Sequence, residues 1–160
     1  MMLKLRFDID FVSYKVKDIE IYGFYKARLN DYKNYLLFNL SQSKLSGINR
    51  ELLLMSDSLS IASKFSSDSN LTYKIMNYAI RNLKVLTDGS GEYYIGFEPT
   101  IKNPFCTNLT FDHLFRIIEF GHERIKPLKL FRHSFIQLQD RALNLFNKQF
   151  GWRKESNIIL

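Results

Sequence analysis

Leu3, Leu5, Phe7, Ile9 and Phe11 alternate without a break with Lys4, Arg6, Asp8 and Asp10. A strict period of two places every apolar side chain on one face and every charge on the other, which is the pattern of a strand with one wet face. The wet face carries both signs of charge, which hinders edge-to-edge pairing if the strand lies at a sheet margin.

After this strand the period changes. Phe24, Ala27, Tyr32, Tyr35, Leu36 and Leu40 recur at mostly three- and four-residue steps, so an amphipathic helix is expected from Phe24 to about Leu45, closed by Gly47. The stretch before it, Tyr14 to Tyr22, admits either a short strand or a helix start, with Gly23 as a break. Ile48, Leu52, Met55, Leu59, Ala62 and Phe65 repeat the helical spacing, diluted by serines that lower intrinsic propensity. Ser66 to Asn70 reads as a loop, and Leu71 to Ala79 as a helical turn or a strand.

Ile80 to Leu86 and Tyr93 to Phe97 flank Asp88, Gly89, Ser90 and Gly91, whose glycines supply the positive φ of hairpin turns. A β-hairpin is expected there, followed by an irregular segment from Pro99 to Asn108. Leu109 to Phe120 reads as a short helix, started by Thr110 or Asn108 and stopped by Gly121. A long final helix from Leu130 to Phe150 carries Phe131, Phe135, Leu138, Ala142, Leu145 and Phe146 on one face. Gly151 and Trp152 should begin a tail. The expected architecture is a single α+β domain over residues 1–152, an antiparallel sheet with a β-hairpin packed against helices, followed by a C-terminal tail over 153–160.

Composition narrows the chemistry. Of 160 residues, 14 are Phe and 9 are Tyr, and rings of that size dominate either a core or an interface, so some are expected to face a partner. The lone Cys106 rules out an internal disulfide. With three scattered histidines it gives no zinc-ligand spacing, so neither metal nor cofactor is expected. His113, His122 and His133 cannot meet on one helical turn, no nucleophile elbow is present, and no acid, base and nucleophile set converges. The chain does not read as an enzyme. Asp8 with Asp10, and Glu119 with Glu123, read as solvated faces or ion-pair partners. No apolar run is long enough to span a membrane, and no leader pattern is seen at the N-terminus, so the chain is expected to stay where it is made. The formal net charge of +7 favours acidic partners.

The densest region is Phe115 to Phe135. Phe115, Phe120, Phe131 and Phe135 supply aromatic anchors, and Arg116, Arg124, Lys126, Lys129 and Arg132 outweigh Glu119 and Glu123 around Pro127. Aromatic and arginine side chains are the types enriched at interface hot spots. The candidate interface is therefore Phe115, Glu119, Phe120, Gly121, Arg124, Lys126, Pro127, Phe131, Arg132 and Phe135. A nucleic-acid module would use the same place, with Arg124, Lys126, Lys129 and Arg132 on phosphates and Phe131 or Tyr94 as stacking surfaces.

These residues resemble the phage neck or tail-completion proteins of the gene-product-ten-like family, found at the head-to-tail junction of long-tailed double-stranded DNA phages. The order of motifs carries the likeness: the strand Tyr93 to Phe97, the Glu119, Phe120, Gly121 signature, then Pro127, Phe131, Arg132 and the last helix. The chain departs from the pattern at His122, at Leu128 to Leu130 and at His133, and Asp68 to Leu71 matches the family's turn only faintly. The resemblance implies a non-enzymatic virion protein, made in the host cytoplasm, that forms or joins a homo-oligomeric ring. Its partners would be itself and neighbouring connector or tail proteins, with possible non-specific DNA contact in the lumen and neither a membrane nor a small-molecule substrate. The alternative reading is a small basic phage protein that binds nucleic acid or a host protein.

Overall fold

The computed structural model describes residues 3–45, 48–50, 70–87, 89, 91–96, 110–121 and 125–158, with side chains through Arg153. Its elements, in chain order, are β1 (Leu3–Leu5), α1 (Asp18–Ser41), α2 (Leu71–Arg81), β2 (Lys84–Thr87), β3 (Tyr93–Gly96), α3 (Phe111–Phe120) and α4 (Leu130–Ile158). The fold is α+β, as the patterning requires. The helical spacing read from Ile48 to Phe65 is met at its first residues, which are helical. The rest of it, the segment from Pro99 to Asn108, and Arg124 lie outside the described residues.

The sheet is antiparallel with strand order β1-β3-β2. β2 and β3 form the expected hairpin, with Val85 opposite Ile95 and Thr87 opposite Tyr93 and with Gly89 and Gly91 at positive φ in the connection, but its first strand begins at Lys84 and not at Ile80, because Ile80 and Arg81 end α2. β1 pairs with the other side of β3, Leu3 opposite Ile95 and Leu5 opposite Tyr93. Here the expectation was too long. The ladder covers only Leu3 to Leu5, because β3 itself is four residues and offers no further partner. The side-chain alternation nevertheless persists to Phe11, with Leu5 and Phe7 buried and Lys4, Arg6, Asp8 and Asp10 turned away from the core or partly so. On the outer face Lys4 pairs with Glu92 at 2.8 Å, and the Tyr94 hydroxyl donates to the same carboxylate at 2.8 Å.

α1 starts at Asp18 and runs straight through Gly23, resolving the ambiguity before it in favour of helix. A helical glycine costs about 1 kcal/mol relative to alanine, and burial of the adjoining Phe24 and Tyr25 outweighs that. The same correction applies to the last helix. α4 does not end at Phe150 but continues through Gly151 and Trp152 to Ile158, so the expected tail is helical as far as Ile158. Phe150 is buried, and one turn further Arg153 pairs with Glu20 at 2.8 Å while lying over the Phe150 and Trp152 rings. Those contacts hold the end of α4 against the start of α1. Trp152 itself is 61% exposed, its indole N–H donating to the Gln149 carbonyl at 3.1 Å.

α1 and α4 lie antiparallel and form the backbone of the core. Tyr32 meets Phe135, Asn39 donates to Ser134 and Gln137, and Phe24 packs edge-on to Phe146 at 6.0 Å. The sheet rests on this pair through rings. Phe7 stacks on Tyr25 at 5.1 Å and Tyr25 on Tyr93 at 4.3 Å. α2 fills the space between α1 and α3, burying Ile75, Met76, Ala79 and Ile80.

Candidate functional site

Lys129, the residue before α4, cannot cap a helix, because a lysine ammonium has donors and no acceptor. It also sits at φ 54, a left-handed conformation that is costly for a side chain with a Cβ. The first N–H groups of α4 therefore need an acceptor from elsewhere. Glu119, in the last turn of α3, provides it. Its Oε2 accepts from the Phe131 N–H at 2.8 Å and its Oε1 from the Arg132 N–H at 3.0 Å, the two donors that a local capping residue would serve. Glu119 is 8% exposed, and the positive end of the α4 dipole stabilises its carboxylate there.

Gly121 makes that reach possible. α3 ends with the Gly121 N–H donating to the Ile117 carbonyl at 2.8 Å, and Gly121 takes φ 78 and ψ 177, a region essentially restricted to glycine. A Cβ at this position would lie 2.5 Å from the Ile125 carbonyl oxygen and 3.0 Å from the Pro127 ring. The returning loop passes directly over the glycine. It is tied back by the Leu128 N–H, which donates to the Ile118 carbonyl at 2.9 Å. Beneath it, the Tyr32 hydroxyl donates to the Phe131 carbonyl at 2.9 Å, and Phe115 packs on Phe131 with ring centroids 4.6 Å apart. Burial first, and the Glu119 carboxylate second, push the Tyr32 hydroxyl far above the ordinary phenol range.

The candidate residues thus divide in two. Phe115, Glu119 and Phe131 belong to the molecule's own core, where they build the corner. Reading Glu119 as a solvated or ion-paired carboxylate is corrected in the same way. Phe120, Lys126, Pro127 and Arg132 are exposed, and Gly121 and Phe135 are partly so. Phe120 is 72% exposed because it shares the outer face of α3 with the exposed His113 and Arg116, at steps of three and four residues. Together with Leu3, Phe131, Arg132 and Phe135 it lines a shallow apolar groove of ≈ 180 Å³ between β1 and the start of α4. Lys126, Lys129 and Arg132 surround this corner, and Arg116 is drawn to Asp112 on α3 at 3.1 Å.

His113 and His133 are exposed on different helices, and no cluster of three metal-ligating side chains occurs among the described residues. No helix among them is long and apolar enough to cross a membrane. Sequence reasoning missed the capping role of Glu119. The usable signal was negative: a strong helix pattern beginning after Lys129, with no Ser, Thr, Asp or Asn in place to start it. Comparison with protein-family models, with curated proteins and with solved structures gave no match for this chain.

Proposed function

We propose that this chain is a non-catalytic assembly subunit of the phage neck or tail-completion type, forming or joining a ring at the head-to-tail junction. One observation carries the reading: the Glu119, Phe120, Gly121 signature is a rigid, capped turn whose middle residue alone points outward. Phe120 is the most exposed aromatic ring among the described residues. A pre-ordered ring beside an apolar groove and a charged rim matches the anatomy of interface hot spots. A ring built this way uses two different surfaces of each copy, meeting head to tail.

The capped turn also weighs against the competing phosphate site at the same corner. The N–H groups at the start of α4, which would otherwise attract an anion, are already taken by Glu119. Lys126, Lys129 and Arg132 remain available as rim charges for an acidic protein face.

Particle mass tests the proposal. By sedimentation or native mass spectrometry, the protein should form a defined oligomer, alone or mixed with the connector and tail proteins encoded beside it. Phe120→Ser should abolish that oligomer while leaving the monomer folded. A strictly monomeric species under every such mixture, or an oligomer indifferent to Phe120→Ser, would overturn it.

A further inference from the structure

α4 is covered on only part of its circumference. Leu138, Ala142 and Phe146 are buried against the core, while Gln137 accepts from Asn39 at 2.9 Å and Arg141 reaches Asp31 at 3.4 Å, both partners lying on α1. Away from these contacts, Arg132, Ile136, Asp140 and Leu143 follow one another at steps of four, four and three residues, a single stripe along about 16 Å of helix. All four are exposed, Ile136 at 54% and Leu143 at 50%. A lone surface aliphatic is ordinary, but here two share one line with a charge of each sign.

The order of those charges is the informative property. Arg132 lies four residues before Ile136 and Asp140 four residues after it, so the stripe becomes its own complement when turned end for end about Ile136. A second α4 laid antiparallel on the first sets each Arg132 against the Asp140 of the other copy, whereas a parallel arrangement opposes like to like. Neither side chain enters an ion pair with another described residue. The surroundings share the same polarity. Lys126 and Lys129 are exposed at the Arg132 end, and at the other end Asp8 and Asp140 rim a hollow of ≈ 470 Å³ lined by Ile9 and Leu143. An apolar centre with a charged rim is the usual anatomy of a protein interface.

We propose that a second copy of this chain docks antiparallel on this stripe of α4, forming a two-fold pair with Ile136 on the axis and two reciprocal contacts between Arg132 and Asp140. Burial of Ile136 and Leu143 supplies the attraction, and the ion pairs fix direction and register. The pair goes beyond the ring reading and does not rest on it. A ring closes head to tail through two different surfaces, whereas this contact uses one surface twice.

The test is sedimentation equilibrium of the full chain over a concentration series reaching about 0.2 mM, since a contact of this extent lies at the small end of specific interfaces. The series is run on the wild type and on Phe120→Ser, so that loss of a ring and loss of the pair are read separately; both should show a monomer–dimer equilibrium. Asp140→Arg, at an exposed position clear of the capped turn, should keep the wild-type circular dichroism and weaken the pair about tenfold or more, because one change creates two like-charge contacts. Arg132→Asp and Ile136→Lys should each do the same. Mixed in equal amounts, Asp140→Arg and Arg132→Asp should pair with each other, and the doubly exchanged chain Arg132→Asp/Asp140→Arg should pair with itself. A monomer throughout the series, folded Asp140→Arg or Ile136→Lys that pairs like the wild type, or a charge exchange that restores nothing overturns the proposal.

Discussion

Gly121 and Glu119 act on the same turn by different physics, and their substitutions should separate. Gly121→Ala meets both a glycine-only conformation and the Ile125 carbonyl, so a loss of more than about 3 kcal/mol in urea unfolding is expected. Glu119→Ala keeps the backbone but orphans two α4 donors, for roughly 2–4 kcal/mol. Glu119→Gln, with one acceptor oxygen left, should fall between wild type and the alanine variant. Tyr32 gives the corner a pH signature. Its folded pKa is raised above the unfolded 10.0, so the stability it contributes is complete below that pH and is lost as the pH rises past it. Tyr32→Phe should lower Tm at neutral pH through the lost bond to Phe131, yet show a shallower fall of Tm above about pH 10. At this scale the sequence marked Glu119 and Gly121 as a pair without revealing what they do. The contact joins residues on two helices across a loop, and nothing in local spacing encodes which donor a carboxylate will meet.

Helix starts in this protein are often supplied from outside. α3 is capped locally, Thr110 accepting from the His113 N–H at 3.1 Å. α2 is served by the Asn49 side chain, which accepts from the Thr72 N–H at 3.2 Å and from the Thr72 hydroxyl. α4 is served by Glu119. Capping from a distance makes each helix start conditional on its neighbour, so propensity alone cannot place it. That is also why periodicity located the cores of the helices well and their ends poorly. Gly23 and Gly151 were misleading for a related reason: a glycine weakens a helix by about 1 kcal/mol, whereas the flanking Phe24 and Phe150 are held by long-range packing. A Cβ at either glycine would meet nothing within 4 Å. Gly23→Ala and Gly151→Ala should each therefore stabilise the fold by roughly 0.5–1 kcal/mol, read as a rise in Tm. The opposite sign at Gly121 makes the three substitutions a single comparison.

Across the whole molecule the first residues close the structure. β1 and its continuation to Phe11 lie between the sheet and the last helix, with Gln139 donating to the Arg6 carbonyl at 3.3 Å and Phe11 packed on Phe146. The strict alternation was legible because one face of that segment meets the core along its whole length, even where no strand pairs with it. Loss of a buried Leu or Phe side chain costs about 2–5 kcal/mol each, and a domain has a total of only about 5–15 kcal/mol. Deleting residues 1–11 removes Leu5 and Phe7 together and breaks one edge of the sheet, so the product should lack the near-ultraviolet circular dichroism of the intact protein.

The single tryptophan adds a practical consequence. Trp152 stands in water near the end of α4, while Phe7, Tyr25 and Tyr93 are stacked from the core outward. Indole emission will accordingly follow only the fraying of that terminus, and tyrosine optical activity the collapse of the core. A protein followed by both signals will show two midpoints where the helix end loosens first, and an experimenter watching the indole alone would underrate its stability.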